Sequence, residues 1–134
     1  MSDVYKVPIL LILFNRPKYI SKTIQYLNII KPEALYVHID GPRNQEDQDK
    51  INEVEVMLKE LHTDINVTFK KSNLNLGCGL GPVSAINWFF ENEDYGIIFE
   101  DDVVPHKSFF EYCEILLKKY SDKRNIFMIS GDNG

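Results

Sequence analysis

From Pro8 to Phe14 the chain runs Pro-Ile-Leu-Leu-Ile-Leu-Phe without a polar side chain, and it then breaks at Asn15-Arg16-Pro17. A short unbroken apolar run of this kind suits a central strand buried on both faces, followed by a helix entry. Ile20, Ile24, Leu27 and Ile30 next recur at helical spacing. Lys31-Pro32 ends that pattern, because proline disfavours the helical conformation in the residue before it. Ala34 to Asp40 is rich in β-formers and closes on Gly41-Pro42, which predicts a second strand and a turn. Ile51, Val54, Leu58 and Leu61 then mark one face of a charged amphipathic helix.

Alternating apolar residues from Ile65 to Phe69 predict a third strand, and Asn73 to Gly81, which holds three of the seven glycines, predicts a loop. Pro82 is expected to open a short helix whose inner face carries Val83, Ile86 and Phe90, and the Trp88-Phe89-Phe90 cluster is assigned to the core. Gly96 to Phe99 forms a fourth buried strand that runs directly into Glu100-Asp101-Asp102. Ser108-Phe-Phe-Glu111 matches a capping box and predicts a helix to Tyr120. Ile126 to Ser130 reads as a last strand that Gly131 to Gly134 leaves without a covering helix. Such an exposed strand predicts homo-oligomerisation or added chain segments along it.

Alternating strands and helices imply an α/β fold, a Rossmann-like and mainly parallel sheet with helices on both faces. In such sheets ligands bind beyond the carboxyl ends of the strands. Three polar groups fall there: Asn15-Arg16 after the first strand, Asp40 after the second, and Glu100-Asp101-Asp102 after the fourth.

Composition narrows the function. A chain of 134 residues with 44% hydrophobic content fits a single domain spanning residues 1–134. The net charge of -5, with basic residues scattered among acidic ones, excludes the basic stripe of a nucleic-acid binder. Cys78 and Cys113 stand apart with no Cys-x-x-Cys or clustered histidines, so neither zinc nor a disulfide framework is expected, and both are read as reduced and structural. The run from Val7 to Phe14 is too short to cross a bilayer and lacks a following cleavage pattern, so a cytoplasmic protein with no transmembrane segment is expected.

Three adjacent carboxylates repel one another, and strand alternation would place Glu100 and Asp102 on one side with Asp101 on the other. A hard cation, Mg²⁺ or Mn²⁺, relieves that repulsion, takes few protein carboxylates and completes its shell with water and phosphate oxygens. The alternative is a solvated acidic turn ahead of a capped helix. Arg16 can equally be an exposed charge in a helix's first turn, and Asp40 a cap on the Gly41-Pro42 turn. His38, within a strand, and His106, within a turn, are read as ordinary hydrogen-bonded histidines outside the site.

The segment Phe99-Glu-Asp-Asp-Val-Val-Pro-His-Lys-Ser-Phe-Phe-Glu-Tyr-Cys113, followed by Ile129-Ser-Gly-Asp-Asn-Gly134, resembles a known family. That family comprises the N-acetylglucosaminyltransferase that initiates complex N-glycans and the bacterial nucleotide-diphospho-sugar transferases similar to it. Phe14-Asn-Arg16 and Ile39-Asp40-Gly41 fall where the family has its nucleobase contacts. The resemblance implies a GT-A fold and a glycosyltransferase that binds a nucleotide sugar, UDP-sugar favoured, with Mn²⁺ or Mg²⁺. Transfer to a saccharide or lipid-linked acceptor hydroxyl would proceed with inversion.

By the same resemblance Asp102 matches the direct metal ligand, Glu100 a ribose-side contact and Asp101 a supporting acid near the sugar. Arg16, with Asn15 beside it, and Asp40 match the uracil contacts. The loop from Asn73 to Ala85 departs from the family in having no basic residue or histidine, which leaves uridine specificity open. Family members continue past Asp-Asn-Gly into the acceptor-binding part, so the chain is expected to be truncated at its C-terminus, with the general base beyond Gly134 and transfer absent from the fragment alone. Two other classes share the architecture. A sugar nucleotidyltransferase carries a glycine-rich basic loop after the first strand, and a phosphoacceptor receiver domain carries paired acids there; Phe14-Asn-Arg-Pro17 has neither.

Overall fold

A computed structural model describes residues 5–103 and 106–120. The chain divides into two units, Met1–Val104 and Pro105–Gly134. The first holds a four-stranded sheet in the order β3-β2-β1-β4, made of β1 (Ile9–Leu13), β2 (Leu35–Ile39), β3 (Val67–Lys71) and β4 (Ile97–Glu100). Each of its strand pairings is parallel. The expected α/β class with a parallel, Rossmann-like sheet is therefore what the chain forms.

The apolar run of β1 behaves as its composition requires. Ile9, Leu10, Leu11 and Leu13 are all buried, so this strand, flanked by β2 and β4, is covered on both faces. One face receives α3 (Gly77–Asn92), through a cluster of Leu10, Ala85 and Phe89 with Ile12, Tyr36, Ile86 and Trp88 packed against it. Tyr36 meets Trp88 and Phe89 edge-on at centroid distances of 5.4 and 5.1 Å, and its hydroxyl donates to Glu93 Oε2 at 2.7 Å. Burial, and then the Glu93 carboxylate, push that phenol up to about 12.

Helix α1 (Ile20–Ile30) follows a 3₁₀ turn at Pro17–Tyr19 and buries Ile20, Thr23, Ile24 and Leu27. It stops at Lys31, whose left-handed φ of 48° lets its amide bond Leu27 O at 2.8 Å before Pro32 forbids continuation. Helix α2 (Gln45–Leu58) buries the predicted Ile51, Val54 and Leu58, while Leu61 falls past its end. Asn44 caps it by accepting the Asp47 amide at 2.9 Å.

Several expectations are corrected. Helix α3 starts at Gly77, not Pro82, so most of the predicted glycine loop is helical and the proline lies inside it. Its buried stripe is Gly81, Ala85 and Phe89, whereas Val83 and Phe90 are exposed. Small residues let the helix approach the sheet: a Cβ on Gly81 would stand 3.3 Å from Asp40 Oδ2. Strand β3 begins later than Ile65, whose amide instead closes a turn onto His62 O at 3.1 Å, and as an edge strand it leaves Phe69 exposed.

In the second unit α4 (Lys107–Tyr120) begins one residue before the expected cap. His106 takes that role: its Nδ1 accepts the Ser108 amide at 3.2 Å and shares a hydrogen bond with Ser108 Oγ at 2.9 Å. That histidine is hydrogen-bonded as anticipated. The Ile126 to Ser130 strand, and with it the self-association expected there, lie outside the described residues. Both cysteines are free, but Cys78 is exposed and so is not a packing residue; Cys113 is half-buried, and burial pushes its thiol up to about 11. Among the described residues no helix is long and apolar enough to cross a membrane.

Candidate functional site

Strand order decides where a site can form. From β1 the chain steps outward to β2 and β3, and then returns to the opposite side of β1 for β4. The loops after β1 and β4 thus diverge around a crevice at the carboxyl edge, the usual ligand position in open α/β sheets. An open cleft of about 770 Å³ lies there, lined by residues that include Phe14, Asn15, Arg16, Asp40, Arg43 and Glu100 to Asp102. All the residues singled out from the sequence therefore meet around one cavity.

The loops after β1 and β4 are tied directly. The Phe14 amide donates to Asp101 Oδ2 at 3.0 Å, and Arg16 Nη1 pairs with Asp102 Oδ2 at 3.0 Å, both of those side chains being about half exposed. Strand alternation does not extend through the acidic triplet. Glu100 ends β4, and Asp101-Asp102 form a turn closed by the Val103 amide on Glu100 O at 3.2 Å. Glu100 and Asp102 are exposed, whereas Asp101 turns inward. Burial pushes the Asp101 carboxyl up, against the opposing pull of the Phe14 amide and the Arg16 charge.

Asp40 is buried and heavily bonded. Its Oδ1 accepts the amides of Gly41 and Leu76, each at 2.9 Å, and its Oδ2 accepts the Gly77 amide at 3.1 Å and Asn75 Nδ2 at 3.3 Å. The carboxylate therefore caps α3 from a neighbouring strand, since Leu76 at the N-cap position has no side chain able to do so. The capping role foreseen for Asp40 is real, but it reaches beyond its own turn to a helix 36 residues on.

Sequence reasoning missed Arg43 and Asp47. Arg43 Nε and Nη2 grip Asp47 at 2.8 and 3.2 Å, the Arg43 amide adds a bond at 3.0 Å, and Asn15 Nδ2 donates to Asp47 Oδ1 at 2.7 Å. The Arg43 guanidinium above all, opposed by burial, holds the Asp47 carboxyl well below the usual carboxylate range. Arg43 also lies over the Phe14 ring at 5.4 Å, which fixes a cation at the cleft mouth. The available signal was Asn44 followed three residues later by Asp47, a cap pattern immediately after a strand end.

His38 departs furthest from its reading. It is fully buried, and among the described residues neither ring nitrogen has a hydrogen-bond partner, although His38 is one of the residues bordering the cleft. Burial pushes its pKa down, with Asp40 pulling up and Lys70 pulling down, so the ring is neutral near pH 7.

Among the described residues no group of three or more His, Cys, Asp and Glu side chains is arranged to hold a metal. The donor set nonetheless fits Mg²⁺ or Mn²⁺, which need only one or two protein carboxylates beside phosphate oxygens. Asp102 is exposed in the cleft, and its partner there is a displaceable cation, Arg16. Compared with protein-family models, curated proteins and solved structures, the chain gives no match.

Proposed function

We propose that the cleft binds the nucleoside-diphosphate part of a sugar donor and that the chain is the donor-binding portion of a GT-A glycosyltransferase, UDP-sugar favoured. The observation that carries this reading is the convergence of Arg16, Arg43 and the Glu100-Asp101-Asp102 turn on one cavity at the point where the sheet order reverses. That placement supports a diphosphate ligand. The cations Arg43 and Arg16, the latter assigned by the resemblance to the base but here beside the acidic turn, can neutralise phosphate oxygens, while exposed carboxylates among them require a cation of their own.

In this reading Asp102 would hold the metal, with Glu100 on the ribose side. When bound, Mn²⁺ or Mg²⁺ would neutralise the charge on the departing diphosphate. The chain's own residues orient the donor. Asp47 immobilises Asn15 and Arg43 on one wall, and the bond between Phe14 and Asp101 sets the spacing of the two loops that flank the phosphates. Released from Asp102, Arg16 is free to turn towards the donor. Attack on the anomeric carbon with inversion, assisted by a base that none of the described residues is assigned to supply, completes the proposed reaction. Calorimetric titration of the purified chain with UDP, with and without Mn²⁺, is the test. Metal-dependent binding is expected, and no binding of UDP, CDP, GDP or ADP under either condition rejects the reading.

A further inference from the structure

Asp40 has no oxygen left for a ligand. A carboxylate offers about four lone-pair sites, and Asp40 already accepts the amides of Gly41, Leu76 and Gly77 and the side chain of Asn75. The uracil contact that the resemblance assigns to it is therefore taken up within the fold. Asn75 stands differently. Its Nδ2 donates to Asp40 Oδ2 at 3.3 Å and to Gly41 O at 2.8 Å, so both amide protons are used. Those acceptors also fix which way the amide lies, because its oxygen in that place would face two other oxygens. Among the described residues no donor meets Asn75 Oδ1, and the side chain is half-buried and borders the cleft together with Asp40 and Gly77.

We propose that Asn75 is the specificity-determining residue of this cleft, its Oδ1 an acceptor held ready for the imide N–H of uracil. The inference rests on the nucleotide-sugar reading above and adds to it the group that reads the base. Position supports it. The sheet order β2-β1-β4 sets the loop after β1 between the acidic turn and the end of β2, where Asn75 is bonded. A diphosphate beside Arg16 and Asp102 thus leaves the nucleoside to extend towards Asp40 and Asn75.

An acceptor sorts ligand groups by whether they donate. A metal-bound diphosphate is excluded, because it only accepts. Uracil carries one ring N–H, flanked by two carbonyls, whereas cytosine has a bare ring nitrogen in the same place, and its lone pair would oppose Oδ1. Asn75 cannot turn over to offer cytosine a donor, since its oxygen would then be set against Asp40 and Gly41 O. The preference is built as much from that repulsion as from the bond to uracil. The side chain already borders the cleft, so no element has to move.

Wild type and Asn75→Ala, titrated calorimetrically with UDP, CDP and pyrophosphate, each with Mg²⁺, test the proposal. Wild type is expected to bind UDP about tenfold more tightly than CDP, the size of one hydrogen bond and the repulsion that replaces it. Asn75→Ala should lose most of that preference through weaker UDP binding, and should keep its pyrophosphate affinity. The ¹³Cγ signal of Asn75 in wild type should move on addition of UDP and stay in place with pyrophosphate, a readout that needs no variant to fold. Equal or tighter binding of CDP by wild type, a ¹³Cγ signal that UDP does not move, or a preference that survives in folded Asn75→Ala overturns the proposal while leaving donor binding intact. Equal losses of UDP and CDP in the variant overturn it too, since they point to the ribose that both nucleotides share. Failure of wild type to bind any nucleoside diphosphate overturns the parent reading and this one together.

Discussion

The main-chain amide of Phe14 and the carboxylate of Asp101, 87 residues apart in sequence, meet at 3.0 Å across the crevice between β1 and β4. The first loop follows the buried strand β1. The second follows β4, which is not the fully buried strand expected but an edge strand that buries Ile97 and Phe99 and exposes Ile98. The bond fixes the distance between the arginine that leaves one and the acidic turn that leaves the other. Arg16 and Asp102 are brought into contact by it. The pair that the proposed metal would separate is thus set up by the fold itself.

Asp102→Asn is expected to abolish the metal dependence of UDP binding, since the amide keeps the shape but loses the anion. The pair with Arg16 is exposed on both sides, so the unliganded variant should unfold within about 1 kcal/mol of wild type. UDP titrations with and without Mn²⁺ decide this, and equal metal dependence in the two proteins rejects Asp102 as the ligand.

Asp40→Ala should behave differently, as a folding defect first. Removing a buried carboxylate strands the amides of Leu76 and Gly77 at the start of α3, which is expected to cost about 2–4 kcal/mol. Urea unfolding measures it. A loss under about 0.5 kcal/mol, the range of an ordinary surface change, would show that the cap is dispensable.

Acid stability should report on Asp47. Its carboxyl is held below the ordinary value in the folded chain, so the stabilisation is fully present above the unfolded value and is lost as pH falls towards the folded one. In the wild type, stability is expected to decline from about pH 4 downward, and Asp47→Asn should remove that part of the slope. Urea midpoints from pH 6 to pH 2 in the two proteins test it; parallel curves would contradict the assignment.

Gly96→Ala should be severely destabilising for steric reasons. A Cβ there would overlap the Phe89 ring and stand 2.8 Å from Pro8 O. Phe89 is fully buried between α3 and the sheet, packed with Leu10 and Ala85, so about 3 kcal/mol is expected. Restoration of stability by the compensating Phe89→Leu would identify the clash as the cause, and failure to restore it would point elsewhere.

Periodicity made β1, α1, β2 and α2 readable, because in each the buried positions are apolar and regularly spaced, as Ile51, Val54 and Leu58 show. It misplaced α3, because there the inward positions are Gly81 and Ala85, which carry no hydrophobic signal. The polar edge of the sheet was also legible, since Arg16, Asp40 and Asp102 each stand just past a strand. What pairs with what was not. The bonds of Asp40 to Leu76 and Gly77, the hold of Arg43 on Asp47, and the lack of a partner for the His38 nitrogens among the described residues are tertiary facts that no local spacing encodes.

The cap that Asp40 places on α3 also bears on how this cleft could change over generations. Its oxygens are committed to the Gly41, Leu76 and Gly77 amides and to Asn75, and Gly81 is packed against it, so substitutions on that wall are paid in folding before they alter recognition. Arg16, Arg43 and Glu100 project from the opposite side and the mouth and are exposed. Under the proposed reading, drift in ligand preference is therefore channelled to those three positions, while the helix start stays fixed.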